Sequence, residues 1–454
     1  MQATTAALVD MLRAKSAAIT PPVTAAARTL VLDFLGVAVA GSATTEGRHV
    51  RAAMVGLGRT GTCTVPVFPE RFDPATAALV TGTMGYSIGL TDTHAQSITH
   101  PGPSVIPAAL AVGQAVGATG QDVLNAIVVG TEAVVRIGSV VNPSHRARGF
   151  HPTATCNPFG AAAAAGYLLG ADRKAVLSAL GIAGSMAGGL YEFRHEGSML
   201  MALHGGWPAS SGVTAAYLGN GGFTGPSTVL EGPEGFFRAF ADTTRPELLL
   251  GGDGKFGVEE LSLRPYCACR YAHAGIDALL SIWRRHGRTD PKQISKVTVW
   301  THRTAVDQET EPTSAVGARL STRFNMAHAI VYGPRLTEIS SDDLTDSAVG
   351  AVSDVTAIRE DPALSAMFPE RWACRVAIEL RDGTVYEEQV DTPKGEPANP
   401  LTPAEVESKF RRLAVPVLGQ DGAELLRSAV AGLPEARDLS LLSHALAPAL
   451  REEP

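Results

Sequence analysis

Val105-Ile106-Pro107-Ala108-Ala109-Leu110-Ala111-Val112-Gly113 is the stretch that decides the fold. It opens a mostly apolar run that continues to Val135, punctuated by Gly117-Ala118-Thr119-Gly120-Gln121-Asp122, where Gly ends one helix and a polar residue starts the next. Helices apolar nearly all round must be wrapped by other helices. Working outward, the run is flanked by Thr91-Asp92-Thr93-His94 and Thr99-His100-Pro101-Gly102-Pro103 on one side and Gly149-Phe150-His151-Pro152-Thr153 on the other. Imidazoles at both ends of packed helices are costly in a core, and imidazole is the side chain most easily poised to move protons near neutral pH. This stretch is expected to line the active site of a cofactor-independent enzyme.

Helical patterns extend in both directions: residues 4–13, 22–41, 44–59, 74–90, 104–117, 120–141, 157–169, 173–188 and 199–219. Small residues crowd 74–90 (Ala75, Ala77, Ala78, Gly82, Gly85, Gly89), which lets helix backbones approach closely. No convincing strand precedes residue 260 or so. The character then changes. Ile294 to Thr301 alternates with period two, as does Arg375 to Leu380, and Asp382-Gly383 supplies turn chemistry before Val385 to Val390 returns. Helical patterns at 273–286, 321–332 and 343–350 are interspersed, and 403–449 is helical again. The expected fold is mainly α: a large all-α helical domain built from both chain ends (1–265, with 396–454 returning to it) and a smaller α+β lid domain (266–395).

Composition bounds the function. The chain has 454 residues, 45% hydrophobic and 18% charged, so it can bury a large core. A net charge of −7 gives no basic footprint for nucleic acid. Cys63, Cys156, Cys267, Cys269 and Cys374 are odd in number and scattered, which argues against a disulfide framework and for a reducing cytoplasm. The first fifteen residues lack the basic start and long apolar run of a signal peptide, and no uninterrupted apolar stretch predicts a membrane span.

At the level of motifs the chain resembles the MmgE/PrpD family. The resemblance is carried by Asp92-Thr93-His94, His100-Pro101-Gly102 with Pro107-Ala108-Ala109, Gly149 to Thr153, Phe159-Gly160-Ala161-Ala162 and Leu203-His204-Gly205-Gly206-Trp207. Gly222 to Pro226, Leu230-Glu231-Gly232, Pro265-Tyr266-Cys267, Cys269-Arg270, His273 and Ile276-Asp277-Ala278 continue it in order over almost the whole chain. It implies an all-α domain with a smaller α+β lid, a homodimer, no metal or organic cofactor, and a site between the domains for small polycarboxylates. It also exposes departures. Gly89 stands where the decarboxylase-type site has Asp, Met201 and Arg264 where it has Lys, and Phe324, three residues after Ser321, where it has Tyr.

On that footing His100, His151 and Thr93 are the candidate catalytic residues. His100 is read as a general acid/base and Thr93 as a hydrogen-bond donor to a substrate carboxylate whose neighbouring carbon gains or loses a proton. Asp92, His94, Met201, His204, Arg264 and Arg323 are candidates for substrate binding. Arg264 keeps the charge of the Lys it replaces and offers a planar fork for a carboxylate, but cannot give up a proton. Arg323 could restore the charge absent at Met201. Arg148 and Arg270 are weaker candidates, and Cys267 and Cys269 read as structural. His94, His100 and His151 do not have the spacing of a usual metal-ligand set. The expected function is a lyase of the dehydratase or decarboxylase kind acting on a small di- or tricarboxylate. The alternatives are an epimerase of an amino- or imino-dicarboxylate and a non-catalytic carboxylate-binding homologue.

Overall fold

Short polar residues and prolines set the helix starts. Thr20 precedes Pro21-Pro22 at the head of α1 (Pro21–Gly41). Asp73 accepts the Ala75 and Thr76 amides at 3.1 Å each and begins α2 (Pro74–Ser87). The carboxylate of Asp92 accepts the Gly102 amide at 3.0 Å and starts α3 (Gly102–Val116), which ends at Gly117 in the left-handed conformation. Thr119 caps α4 (Gly120–Val141). Pro152 opens α5 (Pro152–Leu168), and α6 spans Leu200–Asn220. The computed structural model describes residues 4–251, 254–309, 311–334, 341–368 and 370–447.

The chain divides into two units. The first comprises Met1–Phe193, Met199–Ser262 and Thr402–Pro454, the second Arg194–Ser198 and Leu263–Leu401. In the first unit α3, α4 and α5 form the interior, and α2 packs against α6. Glycine makes that last contact close. A Cβ on Gly206 would lie 2.0 Å from the Leu79 carbonyl oxygen, and one on Gly82 2.8 Å from the Gly206 Cα. The C-terminal helix Pro403–Ala431 returns to this unit and packs on α1. There the ammonium of buried Lys409 sits 2.7 Å from the Asp33 carboxylate and donates to the Leu90 carbonyl at 2.8 Å. α1 and α4 are long and apolar enough to cross a bilayer, but 61% and 94% of their most apolar windows are buried inside the protein.

In the second unit, α7 (His273–His286) packs on a four-stranded sheet made of β1 (Ile294–Thr301), β2 (Thr356–Glu360), β3 (Cys374–Leu380) and β4 (Val385–Val390), in the order β2-β1-β3-β4. β1 and β2 are parallel, and the other pairings are antiparallel. Ile276, Leu279 and Ile282 of α7 pack with Val297 and Val299 of β1, Val376 and Ile378 of β3, and Met326 and Ile330 of α8 (Thr322–Tyr332). Gly383, with a φ of 87°, turns the β3–β4 hairpin.

The mainly α fold with a small α+β part is as the sequence predicts. Three details differ. β2 escapes the alternation test because it is an edge strand whose Thr356 alone is buried. Cys63–Thr64 and Arg71–Phe72 form a two-stranded pair ahead of the expected first strand. α5 starts at Pro152, five residues before the expected position, because proline suits a first helical turn.

Candidate active site

The site is built where α2, α3, α5 and α6 of the first unit present their ends. His100 lies just before α3. Its Nδ1 is 2.7 Å from the Asp92 carbonyl oxygen, which can only accept, so Nδ1 carries a hydrogen. In the neutral ring the lone pair is therefore on Nε2. The Thr93 hydroxyl oxygen is 3.1 Å from the same Nδ1. The backbone of His100 is fixed by α5: its amide donates to the Thr153 hydroxyl at 3.2 Å, and Asn157 donates to its carbonyl at 2.8 Å. Asn157 also donates to Ser104, whose hydroxyl reaches the Gly205 carbonyl, so α3, α5 and α6 are tied together beneath the histidine.

His151 immediately precedes α5. Its Nδ1 is 2.8 Å from Nδ1 of His204, on α6, and its Nε2 is 3.4 Å from the Tyr86 hydroxyl. The Tyr86 ring lies 5.4 Å from that of His100, centroid to centroid. Tyr86 is therefore between the two histidine clusters. Tyr191 and Phe193 pack edge-on to His151 at 5.1 and 5.2 Å. Burial holds these imidazoles neutral: His204 is pushed down to about 4, and His151 is lowered well below its ordinary value, first by burial and then because a charge on it would be repelled by the basic groups around it, His204, His100 and Arg146. Neutral rings meeting Nδ1 to Nδ1 share one hydrogen, and each can be donor or acceptor in turn.

Family models match both parts of the chain: the MmgE/PrpD N-terminal domain over residues 5–249 and the MmgE/PrpD C-terminal domain over residues 266–434. The chain belongs to the MmgE/PrpD family. It is similar to a cis-aconitate decarboxylase-like protein of Aspergillus oryzae, 26% identical over 444 residues that cover 92% of this chain and 91% of the relative. It is also similar to the cis-aconitate decarboxylases of Aspergillus terreus (25% identical, covering 92% of this chain and 90% of the relative) and Mus musculus (26%, 93% and 89%).

In this MmgE/PrpD chain the residues singled out from sequence fall into different settings. Thr93, His100, His151 and His204 converge with Tyr86 as described. Asp92 is buried, and its carboxylate is engaged at the head of α3. His94 is held in its own turn: Nδ1 accepts the Ser97 amide at 3.2 Å and faces the Ser97 hydroxyl at 2.8 Å. Met201 sits on the first turn of α6, three residues before His204 and so on the same side of the helix. In the second unit Arg323 pairs with Glu311 at 3.5 Å, and Ser321 caps α8 by accepting the Phe324 amide. Arg264 precedes Pro265-Tyr266, whose hydroxyl donates to Asp277 at 2.6 Å. Arg148 pairs with Asp242 at 2.7 Å, and Arg270 with Glu396. Cys267 is buried, and burial raises the thiol of Cys269, so Cys269 is not set up as a thiolate. Among the described residues no three His, Cys, Asp or Glu side chains cluster as metal ligands.

Two residues at the site escaped the sequence reading. Tyr86 is the only aromatic of α2, five residues before Thr91, and that isolation in a helix of small residues was the available signal. Arg146 has none in sequence. It stands in a short helical turn, Ser144–Ala147, and its guanidinium carbon lies 3.5 Å from the centre of the Tyr191 ring.

Proposed function

We propose that this chain is a lyase that moves a proton at the carbon α to a carboxylate of a small di- or tricarboxylate, with His100 as base and Tyr86 as acid. The observation that supports the reading best is the 2.7 Å contact between His100 Nδ1 and the Asp92 carbonyl. It commits Nε2 to the role of proton acceptor and stabilises the imidazolium once the proton has been taken. The Thr93 hydroxyl is suited to donate to the substrate carboxylate as its oxygens take up the developing charge.

In an elimination, Nε2 of His100 takes the α proton and the carbon–oxygen bond breaks with its electron pair on oxygen. The Tyr86 hydroxyl supplies the proton that makes the leaving group water. Tyr86 is then recharged from His151 Nε2, which draws a hydrogen from His204 across the Nδ1–Nδ1 contact as His204 Nε2 takes up a proton from water, and the His100 imidazolium returns its proton to water, so both rings end neutral. In a decarboxylation, a carbon–carbon bond breaks and carbon dioxide leaves. The electron pair remains in conjugation with a second carboxylate, and His100 in its protonated form returns a proton to that α carbon. The names of the relatives favour the second outcome.

The test is nuclear magnetic resonance in deuterium oxide with cis-aconitate, a 2-hydroxy tricarboxylate and a set of dicarboxylates. An unsaturated product, or deuterium in a product that has lost carbon dioxide, is expected for one of them. Deuterium entering recovered substrate with inversion and no unsaturated product would instead make the enzyme an epimerase. Binding without any exchange or turnover would make it a carboxylate-binding homologue.

A further inference from the structure

Arg146 stands apart from several other arginines of the first unit. Arg136 pairs with Glu132, Arg148 with Asp242, Arg173 with Asp10, and Arg245 donates to the carbonyls of Ser139 and Asn142. The side chain of Arg146 is half-buried, yet among the described residues none of its five guanidinium N–H groups has a hydrogen-bond acceptor and no carboxylate pairs with it. Stacking on Tyr191 at 3.5 Å accounts for one face of the guanidinium plane and leaves the donor-bearing edge available. Tyr191 is itself held in place: its amide donates to the Gly149 carbonyl at 2.8 Å, and Phe150 bridges to Leu190. The same ring packs edge-on to His151.

The surroundings sharpen the point. A chain with 45 acidic and 38 basic residues has carboxylates to spare, but none is placed here. The imidazoles nearby are kept neutral, with His145 and His204 at about 4. Arg146 is then a permanent positive charge beside a neutral, largely dry cluster, and its field acts on His151. A planar fork with an open edge, fixed by an aromatic ring and facing no protein anion, matches a carboxylate in geometry as well as in sign.

We infer that Arg146 binds a carboxylate of the substrate beside His151, with Tyr191 as the positioning residue that holds its guanidinium flat. The inference rests on the proposed function in that the ligand it names is the substrate of the same site.

The experiment measures binding of two unreactive anions, succinate and tricarballylate, by calorimetry, together with KM and kcat on whichever substrate turns over. The proteins are the wild type, Arg146→Met, Arg146→Lys and Tyr191→Leu, each first checked for an unchanged melting temperature. Arg146→Met is expected to weaken anion binding and raise KM roughly ten- to a hundredfold, the range for one charge-assisted contact, with a smaller change in kcat. Arg146→Lys should recover part of the loss, because charge returns without the fork. Tyr191→Leu should raise KM less than Arg146→Met does. Turnover with unchanged KM and anion affinity in Arg146→Met would overturn the inference while leaving the lyase reading intact. Anion binding that depends on Arg146 in a protein that turns nothing over would do the reverse. A wild type that binds neither anion and turns over no carboxylate would overturn both.

Discussion

His151 and His204, 53 positions apart in the sequence, meet through their Nδ1 atoms at 2.8 Å at the heads of two helices. Because burial keeps both neutral, the contact needs one ring to donate and the other to accept, and the tautomer of one dictates that of the other. His204→Leu is expected to leave a buried Nδ1 on His151 unpartnered, at about 1–3 kcal/mol of stability. It should also cut turnover by at least tenfold, by breaking the path that recharges Tyr86. His204→Asn, whose amide can reach the same point, should restore most of the stability but not the turnover, since an amide does not exchange donor and acceptor roles with the ease of an imidazole. Denaturation midpoints and kcat for the two variants check this. Full activity in His204→Asn would reduce His204 to a spacer.

His100→Asn separates the two nitrogens of the base. The Asn amide can still donate to the Asp92 carbonyl, as Nδ1 does now, so the turn before α3 is retained. Nothing replaces Nε2. The expected outcome is a fall in kcat of about 10²–10⁴-fold, the usual contribution of general base catalysis, with little change in melting temperature. A large loss of stability with near-normal activity in the folded fraction would make His100 a structural cap.

Stability should fall as pH falls from about 6.5 toward 4. His145 and His204 are each depressed to about 4 by burial, and His151 is lowered further. Between the folded and unfolded values the unfolded chain binds more protons than the native one, so protonation drains stability in that window; above 6.5 the contribution is complete. Each of the two groups at about 4 is worth up to about 3 kcal/mol on this basis. Urea midpoints measured from pH 7.5 to 5 test the upper part of the window, where most paired carboxylates are still ionised. A flat profile there would contradict neutral burial of these rings.

Much of this was legible in the sequence, and the exceptions have physical reasons. Helix starts carry local chemistry, so Thr20 with Pro21, Asp73 with Pro74, and Gly117 with Thr119 mark boundaries that the structure keeps within a few residues. β3 alternates because one face is buried, and the edge strand β4 alternates half-buried with exposed positions behind its Asp-Gly turn, whereas β2, the other edge strand, buries Thr356 alone and left no pattern. At the site the histidines stand out by type. The contacts that assign their roles do not, because they join distant segments: His100 to Asn157, His151 to His204, Arg146 to Tyr191. Arg148, not Arg146, drew notice in the sequence, and it is the one with an acidic partner.

The buried pair of Lys409 and Asp33 ties the C-terminal helix to α1 and, through the Leu90 carbonyl, to the residue just before Thr91-Asp92-Thr93. Lys409→Met would strand the Asp33 carboxylate, and a loss of about 3–5 kcal/mol is expected. Combining it with Asp33→Leu should recover most of that loss, because two well-packed apolar groups replace a buried ion pair at little net cost. A double-mutant cycle by urea denaturation reads the coupling directly. Strict additivity of the two single variants would mean that the pair does not interact.

Met201 is the substitution with the plainest consequence for substrate choice. It lies on the first turn of α6, one turn before His204, where the resembling decarboxylase-type pattern places a Lys. A thioether is flexible and uncharged, so it accepts apolar or cationic neighbours that an ammonium would repel. Two like charges about 4 Å apart, at an effective dielectric constant near 20, repel by roughly 4 kcal/mol. That energy is ample to exclude an aminated ligand from a Lys-bearing site, and the corresponding attraction would favour an additional carboxylate. The wild type is therefore expected to process cis-aconitate poorly relative to a substrate with one carboxylate fewer, or with an amine, at that point. Met201→Lys should raise kcat/KM for cis-aconitate and lower it for the native substrate. Side-by-side kcat/KM values for both ligand classes on the two proteins decide the matter: efficient wild-type turnover of cis-aconitate, unimproved by the Lys, would show that position 201 takes no part in selecting the substrate.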